Sequence, residues 1–143
     1  MAILKQRDFR KLAIDAARVA SDKKALDIIL LDLRKASDIA DYMVIITAES
    51  TTQMRAIEDS IDDAMAMHGL RPTHRDDGNR WLALDYGGFM VHLFLPDARE
   101  FYRLEHLWED PQEVAWEERA APKKSTARRR APKQKTPNRK KRR

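Results

Sequence analysis

The segment "RWLALDYGGFMVHLFLP", residues 80–96, constrains the fold more than any other stretch of the chain. Two apolar runs meet at Gly87-Gly88, a pair that favours the two-residue turn of a β-hairpin, and such a turn fixes the register. Tyr86 then opposes Phe89, Leu84 opposes Val91, and Leu82 opposes Leu93. The opposite face pairs Asp85 with Met90, Ala83 with His92, and Trp81 with Phe94. The first face is uniformly apolar and reads as a core. The second mixes two large aromatics, a methionine, a histidine and a carboxylate. Either a helix packs on it, or it is reserved for contact with another molecule.

The chain has 143 residues, enough for one domain with a sizeable core. It has no cysteine, which excludes disulfides and thiolate metal sites and suits a reducing cytoplasm. It carries no apolar run long enough to cross a membrane, and its first residues lack the pattern of a signal peptide. The net charge of +5 hides a division. Residues 122–143 carry six Lys, six Arg and no acid; the remaining 16 basic residues face 23 acidic ones, a net of −7. The expected organisation is therefore an acidic folded domain over residues 1–118 and a disordered basic tail over 119–143, too poor in apolar residues to fold alone.

Along the domain, Phe9, Leu12, Ala16 and Val19 recur at helical spacing and predict a first helix over about residues 5–22. "LDIILLDL", Leu26 to Leu33, reads as a strand covered on both faces, and "DYMVIIT", Asp41 to Thr47, as a second. Ser50 and Gln53 have capping-box spacing before the stripe Met54, Ile57, Ile61, Met65, and Gly69 marks the stop. A short extended piece follows near Leu70–His74, then a charged loop, "RDDGNR", then the hairpin. "DAREFYRLEHLW" predicts a last helix capped by Asp97, with Phe101, Leu104 and Trp108 on one stripe. This order predicts an α/β domain: a mixed sheet of four or five strands, a right-handed βαβ step from Met43, and helices mainly on one face. The Trp81/Phe94 face is the one expected to stay partly bare.

Chemistry is scarce. His68, His74, His92 and His106 form no metal-binding pair, and Asp62-Asp63 reads as a solvated helix face. Asp76 and Asp77 fit turn chemistry. The four glycines make no phosphate cradle, and Ser50, Thr51 and Thr52 are explained by capping rather than by a nucleophile with a histidine partner. No catalytic constellation, cofactor or metal is implied, and the chain reads as a binding protein.

The blocks "SDIADYMVIIT", "STTQMRAIEDSI" and "RWLALDYGGFMVHLFLPDAREFYRLEHLW" resemble, in order, the Iojap/DUF143 family of ribosomal silencing factors, over roughly Lys24 to Trp116. The resemblance implies a nucleotidyltransferase-like fold lacking catalytic motifs. It also implies binding to the large ribosomal subunit through its ribosomal protein fourteen, which sterically blocks joining with the small subunit and represses translation. By position it places Trp81, Asp85, Tyr86, His92, Tyr102, Leu104, Glu105 and Trp108 at or beside the contact. Tyr86 also belongs to the core face of the hairpin, and Leu104 and Trp108 to an apolar stripe. Acidic groups here would complement a basic ribosomal protein.

The tail lies outside that resemblance. Its cations, Lys123, Lys124, Arg128, Arg129, Arg130, Lys133, Lys135, Arg139, Lys140, Lys141, Arg142 and Arg143, suit ribosomal RNA phosphates. Without aromatic residues the tail is unsuited to base stacking. Rival readings are a general RNA-binding or large-subunit assembly protein acting through the tail, and an active nucleotidyltransferase or nuclease. An exposed aromatic face would also let the free protein pair with a second copy.

Overall fold

The computed structural model describes residues 6–109 and 111–117; the basic tail lies outside the described residues. Six strands form one sheet in the order β3-β4-β5-β2-β1-β6. The elements run α1 (Gln6–Asp22), β1 (Leu26–Asp32), β2 (Tyr42–Thr47), α2 (Thr51–Ala66), β3 (His74–Asp77), β4 (Trp81–Asp85), β5 (Phe89–Phe94), α3 (Pro96–Tyr102) and β6 (Gln112–Glu113). One 3₁₀ turn, Leu104–His106, follows α3.

The sheet is mixed as expected. β2 runs parallel to β5 and antiparallel to β1, and every residue of β2 is buried, which makes it the centre of the sheet. The hairpin adopts the register deduced from the glycine pair, from Trp81 opposite Phe94 to Asp85 opposite Met90. Gly87 takes φ 94°, the left-handed backbone that such a turn requires. Gly88 is needed for another reason: a Cβ there would lie 2.2 Å from the Phe9 ring of α1.

α1 and α2 cover one face. The small residues Ala13, Ala16, Ala17 and Ala20 let α1 sit close to the sheet, while Met54, Ile57, Ile61 and Met65 of α2 fill the space above Val44, Ile46, Val91 and Leu93. Ser50 caps α2, its hydroxyl accepting from the Gln53 N–H at 3.0 Å. The Gln53 side-chain oxygen Oε1 accepts from the Glu49 N–H at 2.7 Å, and its Nε2 donates to the Lys23 and Lys24 carbonyls. The cap thus also fastens the end of α1. α2 stops at Gly69 with the paired bonds of a Schellman motif, Leu70 N–H to Met65 and Gly69 N–H to Ala66.

Five expectations are corrected. The sheet has six strands, because "RDD" is not loop: with His74 it forms edge strand β3, all of it exposed. What holds β3 is charge. Arg75 bonds Glu58 and Asp62 of α2, and Arg55 of α2 bonds Asp77. Asp62 is accordingly half-buried rather than solvated, and it also accepts the Tyr86 hydroxyl at 3.2 Å. The last helix ends at Tyr102, because Arg103 turns left-handed at φ 47°. Its N-cap is Leu95, with Pro96 in the first turn, rather than Asp97. Finally, α3 and the turn after it pack on the second face, where Phe94 is fully buried with Ala98, Leu31, Leu33, Met43 and Ile45.

Candidate partner-binding face

Strand alternation delivers Trp81, Ala83, Asp85, Met90 and His92 to the face opposite α1 and α2. Cover there is partial. Trp81 is half-buried, its ring 4.9 Å from Phe94 and 4.6 Å from Tyr102 of α3. The indole is therefore neither free nor beneath a helix: Tyr102 roofs one side and the other borders a concavity of about 320 Å³. That concavity is lined by Trp81, Ala83, Asp85, Met90 and His92, with His74, Asp76 and Gly78 contributed by the edge strand and its turn.

His92 lies beneath this surface rather than on it, at 6% exposure. Its Nδ1 accepts the Trp81 Nε1–H at 3.0 Å. An indole only donates, so the proton of the neutral imidazole sits on Nε2. That atom is buried without a partner among the described residues. Burial pushes the imidazole down to about 4, against a smaller upward pull from Asp85, so it is neutral at pH 7. His92 thus locks the indole's orientation. Asp85, half-buried, accepts the Gly87 N–H at 2.9 Å and closes the hairpin turn while presenting charge at the concavity.

The remaining expected contacts divide. Tyr102 is 51% exposed and borders Trp81. Leu104 and Trp108 are half-buried and pack on the second cluster. Glu105 is half-buried, held by Arg99 at 3.3 Å, and does not line the concavity. Tyr86 is not part of this face: it is buried on the helix-covered side, where burial and the Asp62 carboxylate push its hydroxyl pKa well up.

Sequence reasoning missed two exposed apolar side chains, Phe101 against Tyr102 at 79% and Leu107 at the end of the 3₁₀ turn at 64% exposure, and the β3 contribution of His74 and Asp76. Phe101 carries a misleading signal, since its helical spacing with Leu104 and Trp108 predicts a buried stripe that the left-handed Arg103 interrupts. Among the described residues no group of three or more His, Asp or Glu is placed to hold a metal, and no helix is long and apolar enough to cross a membrane.

A family model described as "Ribosomal silencing factor during starvation" matches residues 6–143. The ribosomal silencing factor RsfS of Bacillus subtilis is 38% identical over 97 residues, spanning 66% of this chain and 82% of its own. The protein of the same name from Halalkalibacterium halodurans is 30% identical over 116 residues, spanning 80% and 97%. The chloroplastic protein Iojap of Zea mays is 35% identical over 97 residues, which are 67% of this chain and 42% of that protein. The crystal structure of a Chromobacterium violaceum protein superposes with a TM-score of 0.65 at 30% identity, covering 73% of this chain and 87% of the other.

Proposed function

The chain belongs to the ribosomal silencing factor family, and from that premise we propose that it binds the large ribosomal subunit and sterically prevents the small subunit from joining. The docking face is the strip around Trp81, and the partner is ribosomal protein fourteen of the large subunit. The observation that carries this reading is the half-exposed indole: a rigid aromatic held by His92 and Phe94, beside a concavity with Asp85 and Asp76 at its border. Interface centres are built this way, from an aromatic anchor in a partly formed pocket. The carboxylates favour a basic partner and speed encounter more than they add affinity.

No chemistry is required. A domain of this size seated on one subunit occupies the volume into which the other must pack, so affinity for one side is sufficient. The tail adds a second contact, with Lys and Arg lying along ribosomal RNA phosphates and releasing counterions.

The test is co-sedimentation with separated subunits on sucrose gradients. The full chain is expected with large subunits and not with small ones. Trp81→Ala is expected to stay folded and to lose about 2 kcal/mol of binding or more, roughly thirtyfold. A folded Trp81→Ala protein that co-sediments like the parent would remove the face from the account. Deleting residues 122–143 is expected to weaken binding and flatten its salt dependence; an unchanged salt slope removes the tail instead.

A further inference from the structure

β2 and β5 are parallel neighbours, and the segments that follow them depart to opposite sides of the sheet. α2, after β2, packs on the face of Val44 and Ile46; α3, after β5, packs on the face of Ile45 and Phe94. Where adjacent parallel strands send their connections to opposite faces, a crevice opens outside their carboxyl ends, and open α/β sheets bind ligands there. This sheet has such a cleft, about 720 Å³, between Thr47 at the end of β2, Pro96 and α3 beyond β5, and Asp27 near the start of β1. That volume is in the range of small-molecule sites.

Arg99 is built into the cleft. Its side chain is 9% exposed. Nη1 donates to Thr47 Oγ1 at 2.8 Å and to the Asp27 carbonyl, and Nε donates to Glu105 Oε2 at 3.3 Å. These bonds fix the guanidinium and leave Nη2 without a protein partner among the described residues.

Strain gathers at the same place. Asp27 at φ 48° and Arg103 at φ 47° are left-handed without being glycine, and both line the cleft. Left-handed backbone is unfavourable for residues with a Cβ, and strain of this kind clusters where a ligand is held. Arg103 occupies the cap position after α3, where glycine would be less strained. Arg103 brings a second cation to the cleft lining, its Nε donating to the Glu100 carbonyl at 3.3 Å.

The lining carries both signs: Arg99 and Arg103 against Asp27, Glu100 and Glu105. Glu105 already offsets Arg99. Such a cleft selects neither a simple anion nor a simple cation; it matches a small molecule bearing both charges a few ångströms apart. We propose that the cleft binds a free α-amino acid, its carboxylate on Arg99 and Arg103 and its ammonium on the carboxylates of Asp27 and Glu100. The site is separate from the Trp81 concavity and does not depend on the ribosome.

The test is a titration of the full chain, without ribosomes, with each common free amino acid, read by calorimetry and by backbone amide shifts. One or a few amino acids are expected to bind and to shift the amides of Thr47, Arg99 and Arg103. Their N-acetyl and methyl-ester derivatives are expected not to bind. Arg103→Gly relieves the left-handed strain, so its melting temperature is expected to hold or rise while affinity falls about tenfold or more, the loss of one charge-assisted contact. The proposal is overturned if no free amino acid moves those amides, if the blocked derivatives bind equally, or if Arg103→Gly keeps full affinity. Because no ribosome enters the measurement, its failure leaves the docking face standing, and the reverse holds too.

Discussion

The two faces of the hairpin are made from alternate members of the same twelve residues and put to different ends. On the α1/α2 side, Leu82, Leu84, Phe89, Val91 and Leu93 are all fully buried. On the other side only His92 and Phe94 are buried, while Trp81, Ala83, Asp85 and Met90 stay half-exposed around a concavity. The helix count explains the asymmetry. Two long helices serve one face, and a seven-residue helix and a 3₁₀ turn serve the other, covering only its Phe94 end. The first face supplies stability and the second retains surface.

The sharpest way to break that contrast is to truncate one aromatic on each side. Phe89→Ala removes a fully buried ring that stacks on Tyr86 at 5.0 Å, and is expected to cost about 3–5 kcal/mol in urea unfolding. Trp81→Ala, half-exposed at the start, is expected to cost less than about half of that in stability and to show its main effect in ribosome binding. Equal losses of stability would mean that both faces are core.

A pH series comes next in size. His92 has its folded-state pKa lowered to about 4 from an ordinary 6.5. Between those values the unfolded chain binds a proton that the folded chain refuses, so stability is fully present above about pH 6.5 and falls as the solution is acidified toward 4. The full difference is on the order of 3 kcal/mol. His92→Phe is expected to flatten the pH dependence in that window, whatever its stability at pH 7. A parent and variant with parallel pH curves would show that His92 is not shielded.

These expectations rest on parts of the molecule that differ in how openly the sequence displays them. The hairpin register is legible because Gly87-Gly88 leaves one turn and the apolar alternation leaves one facing. The stripe of α2 and its Ser50 cap are legible for similarly local reasons. β3 is not: its four residues are exposed and three are charged, so no period-two pattern exists, and its place is decided by Arg55 and Arg75 reaching from or to another element. The end of α3 is not legible either, since Phe101, Leu104 and Trp108 keep helical spacing through an arginine that turns left-handed. Of the proposed docking face, Trp81 and Asp85 can be read from alternation alone. The burial of His92 cannot, because it depends on neighbours set by the tertiary fold, Ile45 of β2 beside it and the Trp81 indole bonded to it. The cleft at the strand ends was beyond reach for the same reason: Asp27, Thr47, Arg99 and Arg103 share no sequence pattern.

The smallest expected effect sharpens the contrast from its polar side. Each face buries one polar group from the hairpin, Tyr86 under α2 and His92 under the second face. Tyr86 has what His92 lacks, a partner for its proton: the hydroxyl donates to Asp62, which Arg75 also holds at 3.0 Å. Tyr86→Phe keeps the ring and removes that single bond, and Asp62 retains Arg75, so no carboxylate is stranded. The expected cost is about 1 kcal/mol, with no change in ribosome binding. Burial and Asp62 raise the Tyr86 pKa, so the folded state resists its ionisation and the parent alone should lose stability as pH rises past the ordinary tyrosine range near 10. If Tyr86→Phe instead weakened co-sedimentation while remaining folded, the division between a stabilising face and a docking face would have been drawn on the wrong side of the sheet.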